Sequence, residues 1–87
     1  MNIPVALRQY TRNESDLRFE AHTIGELLRK LDSSFPGLSA FIVNESGQLR
    51  RYVNIFVNEA DVRSGNGLMT KLREGDRVSI VPVVAGG

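Results

Sequence analysis

The chain has 87 residues, of which 41% are hydrophobic, enough for one core and too few for two. Eleven basic residues against ten acidic ones give a net charge of +1, so the excess positive charge that neutralises a phosphate backbone is missing, and neither nucleic acid nor a membrane is expected as a partner. The absence of cysteine excludes disulfides, thiolate metal sites and an in-chain thiol nucleophile, and no apolar run approaches the roughly 18 residues that span a bilayer, so a soluble cytoplasmic protein is expected.

Between Asn2 and Arg8, Ile3, Val5 and Leu7 alternate with other residues, the period-two pattern of a strand with one face on a core. The polar run from Thr11 to Ser15 reads as a turn, after which Leu17 and Phe19 alternate with Asp16, Arg18 and Glu20, so a β-hairpin is expected to open the chain. Thr23-Ile24-Gly25-Glu26 matches a capping box and starts a helix with Ile24, Leu27, Leu28 and Leu31 on one stripe; Pro36-Gly37 stops it. Leu38 to Val43 is apolar but too short for its period to separate a helical turn from a strand.

Asn44 to Gln48 is rich in turn formers, and Arg50-Arg51 is a short basic pair of the kind that solvated loops carry. Tyr52 to Val57 is the strongest strand, with Val53, Ile55 and Val57 expected to point inward. Asn58-Glu59 reads as a tight turn into Asp61-Val62-Arg63, Ser64-Gly65-Asn66-Gly67 as a loop, and Leu68, Met69 and Leu72 as a brief helical turn. Glu74-Gly75-Asp76 then turns the chain into a last strand, Arg77 to Pro82, with Val78 and Ile80 on the core face.

Hairpin, helix and further strands make an α+β layout of β-grasp type: a mixed sheet of four to five strands with one main helix across one face, and the first and last strands side by side in the middle. Residues 1–82 are expected to form the domain and 83–87 a flexible C-terminal tail.

No internal set of residues offers a base beside a nucleophile. His22 is the single histidine and precedes the helix cap, Gly65-Asn66-Gly67 lacks the strand and lysine of a phosphate cradle, and Asp61 and Asp76 stand at turns, where aspartate bonds its own backbone. No metal site and no bound cofactor are therefore expected. The unusual feature is the end of the chain, where Val83-Val84-Ala85-Gly86-Gly87 runs to a carboxylate without a charged side chain. Glycines without Cβ atoms let a backbone thread a narrow channel in another protein, although mobile glycine ends are also common.

Val81-Pro82-Val83-Val84-Ala85-Gly86-Gly87 resembles the ending of the ubiquitin-like sulfur carriers, the relatives of ThiS and MoaD. Tyr52-Val53-Asn54-Ile55-Phe56-Val57-Asn58 leading to Asp61-Val62-Arg63, and Leu72 with Gly75-Asp76 and Val78, look like that family's strand, turn and final strand. The likeness covers most of the chain and is tightest from Tyr52 to Gly87. Within the family, Arg51 to Arg63 and the Ala-Gly-Gly ending are most similar to the carrier that feeds a pyridoxal-phosphate cysteine synthase, with molybdopterin-synthase small subunits next.

The resemblance implies a protein co-substrate rather than an enzyme. An E1-like enzyme would use ATP and magnesium to adenylate Gly87, and a sulfur source would displace AMP to leave a thiocarboxylate. In the cysteine branch the acceptor would be an aminoacrylate on pyridoxal phosphate, and a metallopeptidase would release the product. By position, Gly86 would permit entry to the partner, and Ala85, Val84 and Val83 would line its channel. Strand alternation puts Tyr52, Phe56 and Val81 on the outer sheet face, where they either dock the activating enzyme or lie under loops. A ubiquitin-type protein modifier, with Lys30 and Lys71 available for chains, and a plain interaction domain are the competing readings.

Overall fold

In the computed structural model, which describes residues 1–83, the strongest sequence patterns form the frame. Strand β1 (Val53–Val57) buries Val53, Ile55 and Val57 and leaves Asn54 and Phe56 on its other face, as alternation requires. The turn Asn58-Glu59, with Asn58 at φ 58°, folds it onto β2 (Ala60–Asp61). On its other side β1 pairs antiparallel with β3 (Val78–Pro82), from Val57 opposite Val78 to Val53 opposite Pro82, giving the order β2-β1-β3.

Helix α1 (Ile24–Ser34) begins at the capping box: Thr23 Oγ1 accepts the Glu26 amide N–H at 3.1 Å. The Glu26 carboxylate reaches back one residue further than the motif describes, accepting from the His22 amide at 3.4 Å. Its buried stripe of Ile24, Leu27, Leu28 and Leu31 joins Val53, Ile55, Val57, Val78 and Ile80 in one core. Phe35 ends the helix, and Pro36, instead of only terminating it, occupies the first turn of a second helix, α2 (Pro36–Ile42), where a missing N–H costs nothing. The ambiguous segment after Pro36 is therefore helical, burying Leu38 and Ile42, and two helices rather than one main helix cover the core.

The N-terminal strand is also corrected. Only Asn2 bridges, and Val5–Tyr10 is a 3-10 helix with Leu7 buried and Val5 75% exposed, so the inward pair is Ile3 and Leu7 at helical spacing. Pro4 explains the difference, because it has no N–H to give a ladder and its carbonyl accepts the Leu7 N–H at 2.9 Å. The expected hairpin shrinks to a bridge between Asn2 and Asp16, flanked by Ile3 N–H to Ser15 O at 2.9 Å and Leu17 N–H to Met1 O at 2.8 Å. Leu17 is nonetheless buried. The neighbourhood of first and last segments holds in reduced form: Asn2 bridges Ser79 in parallel, so among the described residues the strands number three and the sheet is mixed only through this bridge.

Candidate functional site

The antiparallel ladder continues one residue beyond β3, since the Val83 N–H donates to Tyr52 O at 2.7 Å. Pairing of Asn54 with Val81 on the same ladder puts Tyr52, Val81 and Val83 together at one end of the sheet, exposed by 41%, 41% and 45%. Phe56 is not part of this group. It is half-buried opposite Ser79 and Asp61, about 13 Å along the strand from Tyr52 at 3.3 Å per residue. The expected outer-face trio is thus an apolar patch of Tyr52 and Val81 at one end, extended by Val83, with Phe56 set apart. Val84, Ala85, Gly86 and Gly87 lie outside the described residues.

Nonlocal contacts that sequence patterns do not reveal hold this end in place. The Tyr52 ring meets the Phe41 ring of α2 edge-on, with centroids 5.3 Å apart and planes at 67°, and Phe41 in turn lies 6.1 Å from the Tyr10 ring. Tyr52 is therefore held from the α2 side instead of standing free. Arg63, in the 3-10 turn Val62–Ser64, donates through Nη1 to Arg51 O at 3.1 Å and Asn54 Oδ1 at 3.0 Å, and through Nη2 to Arg50 O. Asp61 positions that turn by accepting the Arg63 amide N–H at 2.9 Å. Arg50 is less solvated than a loop arginine, because its Nε donates to Ala40 O at 2.9 Å near the end of α2. The planar, multidentate guanidinium of Arg63 thus fixes the backbone entering β1, where Tyr52 receives Val83.

The opposite end of the same strand pair is polar and closed. Asn58 Nδ2 donates to Asp76 Oδ1 at 3.2 Å, the Arg77 amide donates to Asn58 Oδ1 at 3.1 Å, and the Arg73 amide donates to Asp76 Oδ2 at 2.9 Å. The Arg73 amide bond, followed by the Asn58 bond and the Arg73 charge, holds the Asp76 carboxyl below its ordinary value of 3.8. Asp76 is the turn aspartate that the sequence suggested, with a cross-strand partner added. Among the described residues no group of three or more His, Cys, Asp or Glu side chains is placed to hold a metal ion. His22 is 92% exposed and its Nδ1 lies 3.5 Å from the Glu26 carboxylate. Also among the described residues, no helix is long and apolar enough to cross a membrane.

Among the described residues no set of metal-ligating side chains converges, and Tyr52, Val81 and Val83 leave an exposed apolar end of the sheet. Known proteins agree with that architecture. The sulfur carrier protein CysO of Mycobacterium tuberculosis is 38% identical over 89 aligned residues, covering 100% of this chain and 96% of that protein. A chain of the crystal structure of the Amycolatopsis orientalis BexX/CysO complex superposes with a TM-score of 0.90 at 36% identity, covering 99% of this chain and 96% of the other, so the α+β β-grasp expectation holds with fewer strands than expected. Small archaeal modifier protein 3 of Haloferax volcanii is 38% identical over 65 residues, 75% of this chain and 70% of its own length. The ThiS family model matches residues 1–87 throughout, and the chain belongs to the ThiS family.

Proposed function

We propose that this protein is a sulfur carrier that works through its C-terminal Gly87 and supplies sulfur for cysteine synthesis. The observation that carries the reading is the full-length similarity to CysO sulfur carriers, joined to a sheet whose ladder delivers Val83 to an exposed apolar edge. A carboxylate is a poor electrophile. Adenylation by an E1-like partner with ATP and magnesium turns it into a mixed anhydride and releases pyrophosphate, sulfide attacks the carbonyl carbon, and AMP departs with the electron pair of the broken C–O bond to leave the thiocarboxylate.

This chain's own part is presentation. Four residues follow Val83, and fully extended at about 3.5 Å each they reach at most ~14 Å, so any enzyme that closes around Gly87 comes within about 14 Å of the sheet end. Tyr52, Val81 and Val83 are the apolar contact surface for that enzyme, Phe56 is a peripheral contact, Val84 and Ala85 line its channel, and Gly86 lets the backbone pass without a Cβ. The synthase that accepts the sulfur, a pyridoxal-phosphate cysteine synthase, meets the same end, and a metallopeptidase then frees the product. Incubation with the adenylating enzyme, ATP, magnesium and sulfide should shift the intact mass by the exchange of one oxygen for sulfur. Addition of the synthase with its aminoacrylate should convert that species to a cysteinyl adduct. No mass shift with an enzyme active on a related carrier contradicts the reading.

The similarity to a small archaeal modifier supports a second reading, in which the same activated end is transferred to lysines of other proteins. Gel-resolved conjugates that form in the presence of sulfide, in place of thiocarboxylate, would favour it.

A further inference from the structure

An activated carboxylate acylates any accessible neutral amine, so a protein that carries one is exposed to its own nucleophiles. Of its eleven basic residues only Lys30 and Lys71 are lysines; the rest are arginines, whose guanidinium does not lose its proton and does not act as an acyl acceptor. With the amino group of Met1 the chain offers three amines, and the structure treats them unequally.

The Met1 ammonium donates to Leu17 O at 2.7 Å and lies 3.4 Å from Asp16 Oδ1, with the Met1 side chain 1% exposed. Lys30 Nζ donates to Glu20 O and lies 3.6 Å from Glu26 Oε1, so it is bonded from two elements and 46% exposed. Lys71 is exposed and has no hydrogen bond or ion pair among the described residues. Its backbone is anchored all the same: it bridges Thr23, and its neighbours Thr70 and Leu72 bond Ile24 N–H at 3.0 Å and His22 O at 2.8 Å. The amine is held out from a fixed backbone.

We infer that Lys71 is the more open of the two lysines to acylation, and that it is the lysine at which an adenylated Gly87, of the same or another copy, forms an isopeptide when no sulfur nucleophile is present. The neutral Lys71 Nζ attacks the Gly87 carbonyl carbon, the C–O bond to AMP breaks, AMP leaves with the electron pair, and the proton shed by nitrogen passes to solvent. This step rests on the carrier reading for its activation, whereas the ranking of the amines rests on the fold alone.

Two experiments on the full chain separate those dependencies. Limiting acetylation with a water-soluble succinimidyl ester, read by peptide mass, should modify Lys71 about tenfold faster than Lys30, the factor expected from breaking one charge-assisted hydrogen bond before reaction. Lys30 reacting as fast as Lys71, or faster, overturns the ranking and the proposal with it. Incubation with the adenylating enzyme, ATP and magnesium without sulfide should give a branched tryptic peptide joining Val78–Gly87 to Lys71, absent from Lys71→Arg and retained in Lys30→Arg. Pyrophosphate exchange without that branch, or with the branch on Lys30, overturns the proposal. Absence of exchange counts against the carrier reading, and the acetylation ranking still decides which lysine is the more open.

Discussion

The β1–β3 pair has two ends that differ in kind. Where Val57 meets Val78, a side-chain latch of Asn58 and Asp76 ties strand to turn with hydrogen bonds. Where Tyr52 meets Val83, the ladder is equally regular but Tyr52, Val81 and Val83 are exposed apolar side chains, with Phe41 packed on Tyr52 and Arg63 bonded to Asn54 beside them. Hydrogen bonding of the backbone is the same at both ends, so it is the side chains that divide them: one end keeps the sheet together and the other is the end we propose as the partner's contact.

Variants can break that division. Deleting Gly86-Gly87 should abolish thiocarboxylate formation entirely while the melting temperature stays where it was, because the described core and its ladder lie within residues 1–83; retained sulfur loading would place the chemistry elsewhere. Val81→Asp should lower kcat/KM for adenylation of the carrier by about tenfold through a weaker encounter with the enzyme, the size expected for one charged group placed in an apolar contact, with the fold unchanged by circular dichroism.

At the other end the pattern should reverse. Asn58→Ala removes the latch and puts a residue with a Cβ and no local hydrogen bond at φ 58°, and should cost about 1–2 kcal/mol in a denaturant titration with adenylation kinetics unaltered. A loss of adenylation comparable to that of Val81→Asp would show that the two ends are not separable. The smallest effect is acid sensitivity. Asp76 titrates below its ordinary value in the folded chain, so its contribution is present above pH 3.8 and fades as pH falls through the depressed value. Asp76→Asn should flatten that part of the stability profile, and an unchanged profile would show that the latch carboxylate contributes nothing.

What the sequence discloses follows the range of the interaction. The capping box at Thr23, the stripe from Ile24 to Leu31 and the alternation of Val53, Ile55 and Val57 are local; the stripe and the alternation appear as read, and the box does so except that its carboxylate meets the His22 amide. Ile3, Val5 and Leu7 mislead because residues four apart satisfy both periods at Ile3 and Leu7, and Pro4 was the residue that should have decided for the turn. Tyr52 and Val81 were legible as outward-facing, but their separation from Phe56 along the strand, and the hold of Phe41 and Arg63, arise between residues far apart in the chain. The arginine of Asp61-Val62-Arg63 was visible only as part of a motif; its bonds to Arg50, Arg51 and Asn54 required the fold.

The most direct test of the central claim is the mass of the tryptic peptide Val78–Gly87 after incubation with the adenylating enzyme, ATP, magnesium and sulfide. The account predicts one oxygen replaced by sulfur, with fragment ions placing the change at Gly87 and none without ATP. An unmodified peptide beside demonstrated turnover of ATP on this chain, or sulfur at any other residue, would contradict it.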